Sequence, residues 1–171
     1  MKQISPTGIK YAACFFLLFA AYGRSDCQQN RLVKVQQLYD SLKSYQIDNP
    51  ETVLATAIFE TGWMECTDCS LNMNNLFGFR LDNGYVQFSN YSECFTYMKK
   101  WQNAFYAPWK AKHPTSSYYD FMTYVNYAQN MPVYIQTVKA LEQWIFRNVE
   151  TNKADLTKSL FRDPTITGFN F

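Results

Sequence analysis

Histidine is almost missing from this chain, with His113 the only one in 171 residues. A zinc site therefore has little to build on. Cys66-Thr67-Asp68-Cys69 has the spacing of half such a site, but only Cys27 and Cys94 could complete it. No metal and no cofactor is expected. An excess of one charge is missing too. The chain carries 16 basic and 14 acidic side chains, and without Lys2 and Lys10, which fall in a targeting segment, the basic count drops to 14. That balance supplies no surplus to neutralise phosphates, so nucleic acid is set aside as a partner. Internal repeats, a linker and a second domain are absent as well. The one apolar run, Tyr11 to Tyr22, is too short to span a bilayer as a free-standing helix.

Aromatic and apolar residues are plentiful. The composition is 47% hydrophobic and 18% aromatic, with 14 Phe and 13 Tyr, which excludes disorder and implies a packed domain with aromatic surface to spare. The length suits one domain with a real core. Lys2 and Lys10 followed by the apolar run read as a secretory signal, and Ala21-Tyr22-Gly23 places cleavage after Gly23. The expected organisation is a signal peptide over 1–23 and one domain over 24–171, with its core at about 31–150. An exported, periplasmic or extracellular protein follows. Ser25-Asp26 fits poorly before a lipid-anchor site at Cys27.

Export also explains the cysteines. Cys14 leaves with the signal, and Cys27, Cys66, Cys69 and Cys94 form an even set for an oxidising compartment. Three pairings are open, and a disulfide stapling the Cys66–Cys69 loop to itself or to another cysteine is expected. A redox motif would need a βαβ setting that the neighbouring sequence does not offer.

The body reads as mostly α with a small β element. Leu32, Val35, Leu38, Tyr39 and Leu42 mark a helix ending near Ser44. Asp48-Asn49-Pro50-Glu51 is a second helix start, with Asn49 as cap and Pro50 at the first helical position. Asn83-Gly84 is the favoured two-residue hairpin turn, between Phe79-Arg80-Leu81-Asp82 and Tyr85-Val86-Gln87-Phe88. Phe95, Met98, Trp101 and Phe105 predict a core-packing helix, and Pro108 and His113-Pro114 predict breaks. Tyr118, Phe121, Met122 and Val125 mark a further helix. The last opens at Pro132 with Ile135, Val138, Leu141 and Ile145 on one face.

The chemistry centres on Ala57-Ile58-Phe59-Glu60-Thr61-Gly62-Trp63. Val53, Ala57 and Glu60 share one helical face, so the carboxylate extends a core stripe, and Gly62 ends the helix. Burial there raises a carboxyl pKa toward the range useful for proton donation. A hydrogen-bonded, inert helix-end glutamate is the plainer alternative.

That run, then Asn74-Asn75-Leu76-Phe77-Gly78, then Tyr85 and Phe88 to Glu93, resembles the glucosaminidase-domain autolysins of glycoside hydrolase family 73. Tyr124 to Tyr134, with Tyr127-Ala128 at its centre, is similar to that family's later tyrosine motif. The resemblance covers roughly residues 31 to 150. It implies a lysozyme-like helical domain whose hairpin forms one wall of a cleft. It also implies a hydrolase that cuts the β-1,4 bond after N-acetylglucosamine in bacterial cell-wall glycan, expected to act as a monomer. Family members often carry wall-binding repeats, and none is found here.

On this reading Glu60 is the general acid and Tyr127 places the substrate's 2-acetamido group or a water. Asp82, the hairpin's one carboxylate, is the candidate second acid, although an aspartate before Asn-Gly is also an ordinary turn residue. Trp63, Asn74, Asn75, Phe77 and Tyr85 are the candidate substrate-binding residues, with at least one asparagine expected to brace the loop backbone. Glu93 reads as a helix-start acid, and Glu65 and Asp68 as loop charges. A lytic transglycosylase of the same fold and a non-catalytic glycan-binding protein remain as alternatives.

Overall fold

The computed structural model describes residues 29–82 and 84–150. The expected signal segment and its cleavage site, Cys14, Cys27 and the tail after Glu150 lie outside the described residues. The contacts divide the chain after Val33; of the part before it, residues 29–33 are described and are helical. The part from Lys34 onward holds the core and the cleft. It is mostly helical, with one small two-stranded antiparallel hairpin. Among the described residues no helix is long and apolar enough to cross a membrane.

Helix α1 is the run 34–44, which buries Val35, Leu38, Tyr39 and Leu42. Helix α2, Pro50–Glu60, is the centre of the fold, because every side chain from Thr52 to Ile58 is buried. A helix apolar on all sides has to be enclosed by others. The side chain of Asn49 does not cap it, contrary to the sequence expectation. Asn49 is left-handed (φ 52°) and donates Nδ2 to the Tyr106 hydroxyl at 3.0 Å. The approach to α2 is held instead by Gln102, fully buried, which accepts the Asp48 N–H and donates to the Asp48 carbonyl, each at 2.8 Å.

Helices α3 (Tyr91–Trp101) and α4 (Ala107–Lys112) are joined by a wide helical turn over Gln102–Tyr106. There the Ala107 N–H reaches the carbonyl of Gln102, five residues back. The extra residue in that turn overturns two expectations. Pro108 does not break the chain, because it falls in the first turn of α4. Phe105 does not pack the core. The shifted phase buries Gln102 and Tyr106 and leaves Phe105 55% exposed.

Helix α5, Tyr118–Tyr124, starts on a reciprocal cap between Ser117 and Asp120. Helix α6, Met131–Asn148, starts on Asn130 and packs along α2, burying Tyr134, Val138 and Ile145.

Strands β1 (Arg80–Leu81) and β2 (Gly84–Tyr85) pair Arg80 with Tyr85 and Leu81 with Gly84. Gly84 is therefore a paired strand residue, and not the second residue of the Asn83-Gly84 turn that the sequence predicts. Asn75 explains the register. This fully buried amide donates to the carbonyls of Phe79 (2.8 Å) and Val86 (2.9 Å) and accepts the Phe79 N–H at 3.0 Å. It locks Phe79 opposite Val86, whose N–H bonds Phe79 O at 2.9 Å, and a slip of one residue would turn both side chains off the core.

Cys66 and Cys69 are joined as a disulfide, closing the loop after α2 on itself. Cys94 is a buried free thiol, pushed up to about 12 by its burial.

Candidate functional site

Glu60 is the last residue of α2 and half-buried. The chain leaves the helix through Gly62, Trp63 and Met64, all at positive φ, so it turns sharply away and leaves the carboxylate uncovered at the helix end. Oε1 accepts the Tyr134 hydroxyl at 2.8 Å. On the other side the backbone of Gly78 lies so close that a Cβ there would stand 2.7 Å from Oε2. Gly78 also has φ +67°, so the position needs glycine for space and for backbone.

Burial raises the Glu60 carboxyl above its ordinary value of 4.5, and the Tyr134 hydrogen bond opposes part of that rise. Burial also holds the Tyr127 and Tyr134 phenols far above their usual range, with the nearby Glu60 charge acting in the same sense. Both therefore act as neutral donors. The Tyr127 hydroxyl donates to the Phe77 carbonyl at 2.7 Å and so ties α5's exit to the peptide that approaches Glu60.

Glu60 and Tyr127 line a cleft of about 670 Å³. Glu60, Phe77 and Gly78 form one side, with Arg80 and Tyr85 of the hairpin beside them. Trp101 and Phe105, from the wide-turn region, and the run Val125–Gln129 complete it. Glu60 is the one carboxylate among these lining residues.

Of the sequence candidates, the structure brings Glu60, Tyr127, Phe77 and Tyr85 to the cleft and does not bring the others. Asp82 sits exposed at the hairpin tip, outside the lining. Trp63 packs edge-on against Trp144 of α6, with ring centroids 4.8 Å apart. Asn74 donates to the Phe88 carbonyl at 2.9 Å, and Asn75 staples the hairpin base, so both amides serve the backbone. Glu93 accepts the Ser89 N–H at 2.7 Å at the start of α3, which lowers its pKa. Glu65 and Asp68 are exposed in the disulfide loop.

Sequence reasoning missed Tyr134, the direct partner of Glu60. A signal was present: Tyr134 lies one turn before Val138 on the stripe that faces α2. Arg80 and the cleft-facing Phe105 were missed as well. Among the described residues no group of three or more His, Cys, Asp or Glu could hold a metal ion. Comparison of the chain with protein-family models, with curated proteins and with solved structures found no match.

Proposed function

We propose that this chain is a peptidoglycan hydrolase of lysozyme-like build, cutting the β-1,4 bond after N-acetylglucosamine with Glu60 as general acid. One observation carries the reading. Among the described residues the single carboxylate lining the cleft is half-buried, its pKa is raised, and one of its oxygens is fixed by a phenol. A carboxyl whose pKa is raised by burial holds its proton to higher pH and can deliver it to a leaving glycosidic oxygen. With Oε1 occupied by the Tyr134 hydroxyl, the proton belongs on Oε2.

The chemistry then runs with one acid. Glu60 protonates the leaving oxygen as the C1–O bond breaks. The substrate's acetamido oxygen closes on C1, taking the place of a second carboxylate. Water next attacks C1, gives its proton to the Glu60 carboxylate and reopens the acetamido group. Tyr127, its own proton spent on the Phe77 carbonyl, keeps oxygen lone pairs that can accept the acetamide N–H. Asp82 takes no part. Export, with a mature N-terminus near Arg24, belongs to the same proposal, since the substrate lies outside the cytoplasm.

A one-acid cleft equally suits a lytic transglycosylase, in which the substrate's own hydroxyl replaces water. Mass spectrometry of products from purified wall glycan separates the readings. Hydrolysis adds one water to each cut, transglycosylation leaves products one water lighter, and a binding protein leaves the glycan intact.

A further inference from the structure

Among the described residues the cleft lining contains one cation, Arg80, on strand β1. Its guanidinium carbon lies 4.5 Å from the ring centroid of Tyr85, its cross-strand partner, which also lines the cleft. No carboxylate engages Arg80 among the described residues. A stacked guanidinium uses its face and keeps the N–H donors of its edge, the geometry suited to bidentate capture of a carboxylate. The stack also pre-orders a long side chain before ligand arrives, which lowers the entropic cost of binding. Among the described residues Arg80 therefore stands as an exposed cation stacked on Tyr85, with no carboxylate partner, in a cleft whose one carboxyl is Glu60.

We propose that Arg80 binds a carboxylate of the substrate, so that the cleft selects an acidic glycan over a neutral one. The chemical class is a polymer of N-acetylated amino sugars with a carboxylate on the sugar held beside the hairpin. In wall glycan the lactyl group of N-acetylmuramic acid supplies that carboxylate where no stem peptide is attached, since an attached peptide turns it into an amide, so the glycan selected is the peptide-free one. This inference rests on the glycan-hydrolase reading and adds what decides specificity within it. Arg80 is a specificity residue, and the proton transfer does not use it.

Calorimetry on the full chain bearing Glu60→Gln measures binding without turnover. The probes are a tetrasaccharide of alternating N-acetylglucosamine and N-acetylmuramic acid with free lactyl carboxylates, and the same tetrasaccharide with those carboxyls reduced to alcohols. The acidic probe should bind about tenfold more tightly, as a charge-assisted pair implies. Adding Arg80→Gln should remove that difference and leave the affinity for the reduced probe unchanged, and Arg80→Lys should restore part of it. Equal affinity for the two probes would overturn the role of Arg80 and leave the hydrolase reading standing. So would an Arg80→Gln loss that is the same for both. Failure of both probes to bind would overturn the glycan reading itself, and this inference with it.

Discussion

Gly78 and Glu60 come from separate segments, yet the Gly78 backbone lies against the Glu60 carboxylate so tightly that a Cβ would stand 2.7 Å from Oε2 and 3.0 Å from Cδ. The carboxylate cannot simply swing aside, because Tyr134 holds Oε1. Gly78→Ala should therefore displace the acid. It should also cost about 1–2 kcal/mol for placing a Cβ at positive φ. Turnover of wall glycan should fall far more than the urea midpoint, and an alanine variant with full activity would show that this contact is slack.

Tyr134→Phe removes the hydroxyl, and with it the bond to Oε1 and the hydroxyl's interaction with Thr56. That bond lowers the Glu60 pKa against the larger effect of burial, so its loss should raise the pKa further. A general acid must be protonated, and activity fades as pH rises through its pKa. The alkaline limb of the kcat/KM profile should move to higher pH in the variant. A loosened acid should also lower kcat by about 10- to 100-fold. Tyr127→Phe, which frees the Phe77 carbonyl, should lower kcat without moving that limb in the same way.

Asn75→Ala tests the brace under the hairpin. It strips partners from the Phe79 N–H and from the Phe79 and Val86 carbonyls in a fully buried position. Unsatisfied buried groups cost about 1–3 kcal/mol each, and Val86 N–H still serves one carbonyl, so a loss of about 2–4 kcal/mol is expected. The urea midpoint should fall with little change in slope.

The disulfide should matter modestly. Cys66 and Cys69 are three residues apart, so the loop they close is short and reduction should cost about 2 kcal/mol at most. Thermal melts with and without reductant check this. Cys94, buried, should resist alkylation in the native protein under both conditions.

Local signals carried much of the fold. Pro50 at a helix start and the stripe Val138, Leu141 and Ile145 were legible because the preference of proline for the first helical turn and periodicity act within a few residues. What escaped depends on partners far along the chain. The pairing of Gly84 in the hairpin follows from Asn75, which fixes the register against the preference of Asn-Gly for the turn. The exposure of Phe105 follows from one extra residue in a helical turn, which no 3.6-residue pattern reports. Trp63, three residues after the motif glutamate, meets Trp144 instead of the cleft, since three consecutive residues at positive φ swing the chain away. Glu60 was legible as a buried acid, whereas its contact with Tyr134 spans 74 residues and needs the packing of α6 on α2.

The central claim is that Glu60 supplies the proton. Glu60→Gln keeps the shape and removes the acid. Folding should not suffer. The wild-type carboxyl has a pKa raised above its unfolded value of 4.5, so its stability is full below that pH and declines as pH rises through the folded pKa. The glutamine variant lacks that decline and should melt at a higher temperature than wild type at neutral pH, with the gap closing in acid. The decisive measurement is the rate of glycan cleavage by Glu60→Gln and wild type on purified wall glycan, read by mass spectrometry of the products. The account predicts a loss of about 10²–10⁴-fold in the folded variant. Cleavage by Glu60→Gln at the wild-type rate would contradict it.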